Sequence, residues 1–190
     1  MKNCTDQGVA QQYNAQVAVE QASRLVVGHA LSNHPNDYAE VAPTVASIPA
    51  ALGTPGAAAL DAGYFSAANI HFLEARGIEP YIAAGREAHH RDWQAYFAPP
   101  SAPPPDTAAL AARMAYKLQT AAGKAIYRLR KCTVEPVIGI IKEVLGFRQC
   151  SLRGQAAAAG EWCLVCLAYN LKRLHLLALG AVCLLASAGW

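Results

Sequence analysis

The segment from residue 57 to residue 84 constrains the fold more than any other. "AAALDAGYFS" (57–66) is a short apolar run that ends in an acid and a glycine. Ser66 stands where a helix over 67–76 needs its N-cap, and Gly77 stands where that helix would close. "IEPYIAA" (78–84) then reads as a second strand. Strand, helix, strand is the βαβ pattern, and a helical crossover is what joins parallel strands. The chain is therefore expected to be α/β.

The flanks add to this. "QQYNAQVAVE" (11–20) alternates, and "RLVVGHALS" (24–32) follows after a short polar break, so two antiparallel strands are expected. The run 33–52 looks helical after Pro35, with Asn36 or Asp37 as cap, and Pro43 and Pro49 make it irregular. Residues 85–107 break the pattern. "GREAHHRDWQAYF" is polar and "APPSAPPPD" is proline-rich, which suits an insertion or surface linker. Helices are expected over 108–122, 135–145 and about 155–178. No internal repeat is visible.

Composition bounds the partners. Of 190 residues, 54% are hydrophobic and 15% charged, enough apolar material for a domain with a core. The net charge of +3 hides an asymmetry. Residues 1–105 hold 5 Lys/Arg against 9 Asp/Glu, whereas residues 106–190 hold 11 against 4. A basic C-terminal part suits either a polyanion partner or a solvated face. The N-terminus lacks the apolar core of a secretory signal, so a cytoplasmic location and reduced cysteines are expected. Cys163 and Cys166 form a CxxC pair inside an apolar helical run, which reads as buried thiols rather than a zinc or redox site. His89 and His90 are adjacent, point apart, and read as surface polar residues. The run 174–189 carries no Lys, Arg, Asp or Glu, but is shorter than the ~18 apolar residues of a membrane span. Lys172 and Arg173 would suit a membrane boundary, but no membrane is expected.

Two acids carry functional interest. Asp61 lies at the carboxyl end of a strand, where α/β sheets gather their ligand sites; it could equally just start the turn "DAGY". Glu135 lies in "YRLRKCTVEPVIGIIK" (127–142), among Arg128, Arg130, Lys131 and Lys142. Proline favours the first helical position, so Glu135 before Pro136 is expected near a helix start, facing its dipole. Lys142 is seven residues on, nearly two turns, hence on the same face and about 10 Å along the axis. A surface ion pair would use a spacing of three or four. Spacing seven suits a lysine on one phosphate of an extended substrate, with the glutamate at the reacting one.

These stretches resemble bacterial insertion-sequence transposases of the DDE type. The resemblance rests on "ALDAGYFSAANIHFLEARGIEPYIAAGREAHH" and on "TVEP…IK…GFR…LRG…GEW…AYNLKRL", and covers roughly residues 8–176. It implies an RNase H-like fold, here incomplete: a mixed sheet lacking its first strand, over residues 8–150, with a helical C-terminal part over 151–190. The missing strand would lie between the strand at 11–20 and the one at 57–61. It also implies three carboxylates, Asp, Asp, Glu, that hold two Mg²⁺ or Mn²⁺ ions for DNA strand cleavage and transfer. Asp61 resembles the second Asp and Glu135 the final Glu. Tyr127, Arg130 or Lys131, and Lys142 resemble the rest of a Tyr-Arg-Glu-Lys signature. Lys131 has the commoner spacing. These, with Arg148 and Arg153, are the expected DNA contacts.

The family's first Asp finds no counterpart. Asp6 lies in a polar loop and Asp37 reads as a helix cap. The expectation is a C-terminal fragment whose activity is down by about 10⁴ or more, because catalytic groups that act together are not additive. Expected partners are DNA element ends, a second copy, or full-length transposase. The alternative is a catalytically dead DNA-binding or regulatory remnant.

Overall fold

The computed structural model describes residues 12–85, 102–105 and 107–187, the last seven without their side chains. The elements are β1 (Asn14–Val19), β2 (Val26–Ser32), α1 (Val41–Ala46), β3 (Ala57–Leu60), α2 (Ala67–Glu74) and β4 (Glu79–Ile82). Then come α3 (Leu110–Gln119), α4 (Ala121–Gly139), a π-helical turn (Ile140–Val144) and α5 (Gln155–Ser187). The mixed α/β class is as expected. Most of the expected 85–107 insertion, with His89 and His90, lies outside the described residues, as does Asp6.

The described residues form two compact units. A hairpin unit draws on 1–51 and 131–190, and a crossover unit on 52–130. The described residues 151–187 are in the same unit as β1 and β2.

In the hairpin unit β1 and β2 pair antiparallel, from Asn14↔Ser32 to Val19↔Val26. The Glu20 carboxylate holds the turn between them. It accepts N–H from Ala22 (2.9 Å) and Ser23 (2.6 Å), and the Ser23 hydroxyl (2.5 Å). Arg24 follows at φ 58°, a left-handed backbone uncommon outside glycine. Gly28 lets α1 approach β2, since a Cβ there would lie 2.8 Å from Ile48 Cγ1 and from the Thr44 carbonyl.

α5 covers the hairpin because it buries one stripe: Ala158, Trp162, Cys166 and Tyr169 recur at helical spacing. Trp162, Cys166 and Tyr169 join Val26, Val137 and Ile141, with Val17, Leu31 and Phe147 packed alongside. Side chains of α5 then bind hairpin backbone, beginning with Gln155, whose Nε2 donates to the Leu31 carbonyl (3.4 Å). Trp162 Nε1 donates to the Gln16 carbonyl (3.1 Å), and the Tyr169 hydroxyl to the Arg24 carbonyl (2.9 Å). Asn170 accepts the Val26 N–H (2.9 Å) and donates to the Val26 carbonyl (2.8 Å). Arg173 Nε donates to the Ser23 carbonyl (2.7 Å).

The crossover unit is the predicted βαβ. β3 and β4 pair parallel, Ala57↔Glu79 to Leu60↔Ile82. The Ser66 hydroxyl accepts the Asn69 N–H (3.1 Å), capping α2 as read. At the other end the Ile78 N–H reaches back to the Leu73 carbonyl (3.0 Å) over Gly77 at φ 71°, the left-handed closure a glycine permits. Ile70, Leu73, Ile78, Tyr81, Ile82 and Met114 are buried. Lys117 on α3 binds Glu79 at 2.9 Å and lies 4.4 Å from the Tyr81 ring centroid. That contact, above all, holds the Glu79 carboxyl below its ordinary value.

Three expectations are corrected. The single mixed sheet is not formed: β1–β2 and β3–β4 are separate two-stranded sheets, because no described strand offers backbone to the second edge of β1 or β3. Asp37 does not cap a helix. Its Oδ1 accepts from Asn14 Nδ2 (2.8 Å) and Gln16 Nε2 (3.0 Å), tying the loop to β1. The helix begins later, at Val41, after Glu40, whose buried carboxylate accepts the Ser32 hydroxyl and lies 2.7 Å from His34 Nδ1. Finally, Pro136 does not start a helix but sits inside α4. The start lies at Thr120, whose hydroxyl accepts the Gly123 N–H at 3.0 Å. Proline there leaves the Cys132 carbonyl without its helical donor, and the π-turn follows within one turn.

Candidate functional site

Asp61 follows the last residue of β3 with its backbone still extended, φ −70° and ψ 163°. A 3-10 turn, Ala62–Tyr64, begins at once, and the Tyr64 N–H bonds to the Asp61 carbonyl (3.1 Å). The side chain caps nothing, so it is left to face outward. Its Oδ1 meets Arg130 Nη1 at 2.5 Å. The pair is uneven: the Arg130 side chain is 14% exposed and that of Asp61 59%. Arg130 also stacks toward Tyr127, 5.3 Å from guanidinium carbon to ring centroid. Its Nε is buried without a hydrogen-bond partner among the described residues. Asp61, Tyr127 and Arg130 thus come together in the crossover unit. Lys131, the alternative to Arg130 by spacing, is exposed and counts with the hairpin unit.

Glu135 belongs to the hairpin unit. It is exposed in the interior of α4 and makes no ion pair among the described residues. The helix-dipole role expected of it falls away, since the dipole acts within the first turn and α4 starts at Ala121. Lys142 is exposed on the π-turn. The π-turn, which bonds i to i+5, falls between Glu135 and Lys142, so the straight α-helix assumed for their spacing is not the backbone found. Arg148 pairs with Glu143 at 2.5 Å, both exposed, a contact worth about 0–1 kcal/mol. Arg153 is exposed in the segment before α5. Glu161 pins that segment by accepting the N–H groups of Ser151 and Leu152 (2.9–3.0 Å), which hold its carboxyl below the ordinary value.

The family model described as "Transposase DDE domain" matches residues 3–171, nearly the whole chain. The chain belongs to the DDE transposase family. No curated protein and no solved structure matches it. The DDE transposase family acts in DNA transposition and generally uses divalent metal.

Among the described residues, the donors of this DDE transposase chain fit such a metal in kind but do not gather in number. Carboxylate oxygens suit Mg²⁺. Among the described residues, however, no three His, Cys, Asp or Glu side chains group together. One oxygen of Asp61 is already engaged by Arg130. The CxxC pair adds nothing: burial pushes the Cys166 thiol up to about 12, so it is a protonated core group.

Sequence reading passed over what the motif "GEW…AYNLKRL" does here. Glu161, Trp162, Tyr169, Asn170 and Arg173 are the docking groups of α5. Their spacing of seven, one and three from Trp162 onward was a signal for one helix face. The partners of Glu161 lie nine and ten residues back, but those of the other four, main-chain atoms 144–150 residues away, were not visible. Arg24 carries no local signal, because arginine is not a residue chosen for positive φ.

Proposed function

We propose that this chain serves DNA transposition as a DNA-binding transposase polypeptide. Asp61 and Glu135 hold two of the family's metal-binding positions, and Tyr127, Arg130, Lys131, Lys142, Arg148 and Arg153 are its DNA-facing set. By itself the chain does not cut or join DNA. The observation that carries this reading is the DDE domain match over residues 3–171, joined to an Asp61 that stands at a strand end and is held by an arginine rather than by further carboxylates. An arginine at that place leaves the site able to meet phosphate but without the donors for a metal pair. The alternative is a catalytically dead DNA-binding or regulatory form, consistent with the absence of a three-carboxylate group among the described residues.

The test uses purified full chain and duplex DNA bearing candidate element ends, with Mg²⁺ and with Mn²⁺. Salt-dependent binding without cleavage or joining is expected. Product formation would restore the active-enzyme reading, and no binding at low salt would remove DNA from the account.

A further inference from the structure

A shallow groove in the hairpin unit lies outside every residue so far given a DNA role. It encloses about 180 Å³ between the β1–β2 turn, the π-turn and α5. Pro136, Ile140 and Val144 give it an apolar floor, and Arg24, Lys172 and Arg173 bring three cations to it. We propose that this groove binds a DNA phosphodiester backbone, with phosphates on Arg24, Lys172 and Arg173 and sugars over the apolar floor. The inference rests on the DNA-binding reading above and names a further contact surface for it.

Four observations support it. The three cations come from two elements far apart in sequence, so no single charged helix face explains them. None of the three makes an ion pair among the described residues. Of the acids near the groove in sequence, Glu20 is engaged inside its own turn and Glu143 with Arg148, while Glu135, beside Pro136, is exposed and makes no ion pair among the described residues. Second, their positions are built. Tyr169 holds the carbonyl of Arg24 while that residue keeps a left-handed backbone, and Arg173 is fixed through Nε to Ser23, its other guanidinium nitrogens spare. Third, the size suits a chain passing over rather than a molecule enclosed. Pockets that enclose small molecules run to about 300–1,000 Å³. Fourth, Pro136 in the floor directly follows Glu135, so a backbone lying here adjoins the family's final carboxylate position.

An anionic lipid surface shares the phosphate chemistry, and α5 is long and apolar enough over Gln155–Gly180 to cross a membrane. The placement of the cations favours DNA. Lys172 and Arg173 precede the charge-free run 174–189, but they converge with Arg24 of the β1–β2 turn on one groove, which a helix anchored by its own flanking cations does not require. The same helix also spends its polar side chains on a β-hairpin.

The experiment compares the full chain with an Arg24→Asn, Lys172→Gln double variant. Asparagine tolerates positive φ, and Arg173 is left to hold the turn. Lys124→Gln, outside the groove, controls for simple loss of charge. Duplex DNA binding is followed by fluorescence anisotropy across a salt series. Each phosphate contact contributes about 0.9 to the log–log salt slope, so the double variant should be shallower by about 1.8 and bind at least about tenfold more weakly in low salt. The control should change slope by less than half of that. A double variant with native circular dichroism and an unchanged slope overturns the groove while leaving the DNA-binding reading standing. Wild-type chain that binds no DNA overturns both. Binding to phosphatidylserine–phosphatidylcholine vesicles that the double variant loses, with DNA binding intact, assigns the groove to lipid and overturns the proposal.

Discussion

The hairpin unit and the crossover unit solve the same problem by different means. Each contains a two-stranded sheet, too little to stand in water unless something covers it. The crossover unit covers β3 and β4 with apolar side chains delivered locally. Ile70, Leu73, Ile78 and Ile82 are all buried within a span of 26 residues, and the helix between the strands is closed by its own cap residues. The hairpin unit covers β1 and β2 with a helix from the far end of the chain. Its Trp162, Tyr169, Asn170 and Arg173 seize main-chain atoms of the hairpin. Apolar burial is tolerant of detail, because any side chain of similar volume keeps most of the gain. Hydrogen bonds to buried backbone are intolerant, because a lost partner leaves a desolvated group. In the string "EW…AYN" it is main-chain atoms of the hairpin that Trp162, Tyr169 and Asn170 meet.

That contrast can be broken at its strongest point first. Leu73→Ala should destabilise the crossover unit by about 2–5 kcal/mol, the range for emptying a fully buried leucine site. Amide exchange should accelerate across α2, β3 and β4 and change little in β1 and β2. Equal acceleration in both would show that the two units open together. Asn170→Ala should come next, at about 1–3 kcal/mol, since it strands the N–H and carbonyl of Val26 at once. Exchange should rise at β2 first. Asn170→Asp retains the acceptor and loses the donor, so its cost should be smaller; parity with alanine would mean that the Val26 N–H bond contributes nothing.

The smallest effect is an acid one. The Ser23 hydroxyl, then the N–H groups of Ala22 and Ser23, hold the Glu20 carboxyl below its ordinary value of 4.5. A lowered folded value means the contribution is complete above the unfolded value and fades as pH falls through the folded one. NMR of the turn amides from about pH 6 to about pH 2 should show the Ala22 and Ser23 signals shift below pH 4.5, with Glu20→Gln abolishing that step. Unchanged titration in Glu20→Gln would assign it to another group.

Much of this was legible beforehand, and the exceptions have a common cause. The strands read at 11–20 and 24–32, found at 14–19 and 26–32, the cap at Ser66 and the closure at Gly77 were legible because the reasons for them lie within a few residues. Asp37 was misread because a local cap competed with two amides of β1, and the amides won. Pro136 was misread because proline favours a first turn, while Thr120 had already started the helix sixteen residues earlier. Cys163 and Cys166 were both read as buried on the strength of their apolar neighbours; Cys166 is, but Cys163 is exposed, because only one stripe of α5 packs on the hairpin.

The sequence alone determined the local elements, the α/β class and membership of a DDE transposase family, since these depend on residue order and short spacings. Only the tertiary structure decided that Arg130 rather than Lys131 meets Asp61, that two small sheets stand in place of one, and that "AYNLKR" grips a hairpin. The physical reason is distance along the chain. A side chain such as Asn170 shows its hydrogen-bonding capacity in its formula, but which of the many main-chain groups will use it is settled by packing.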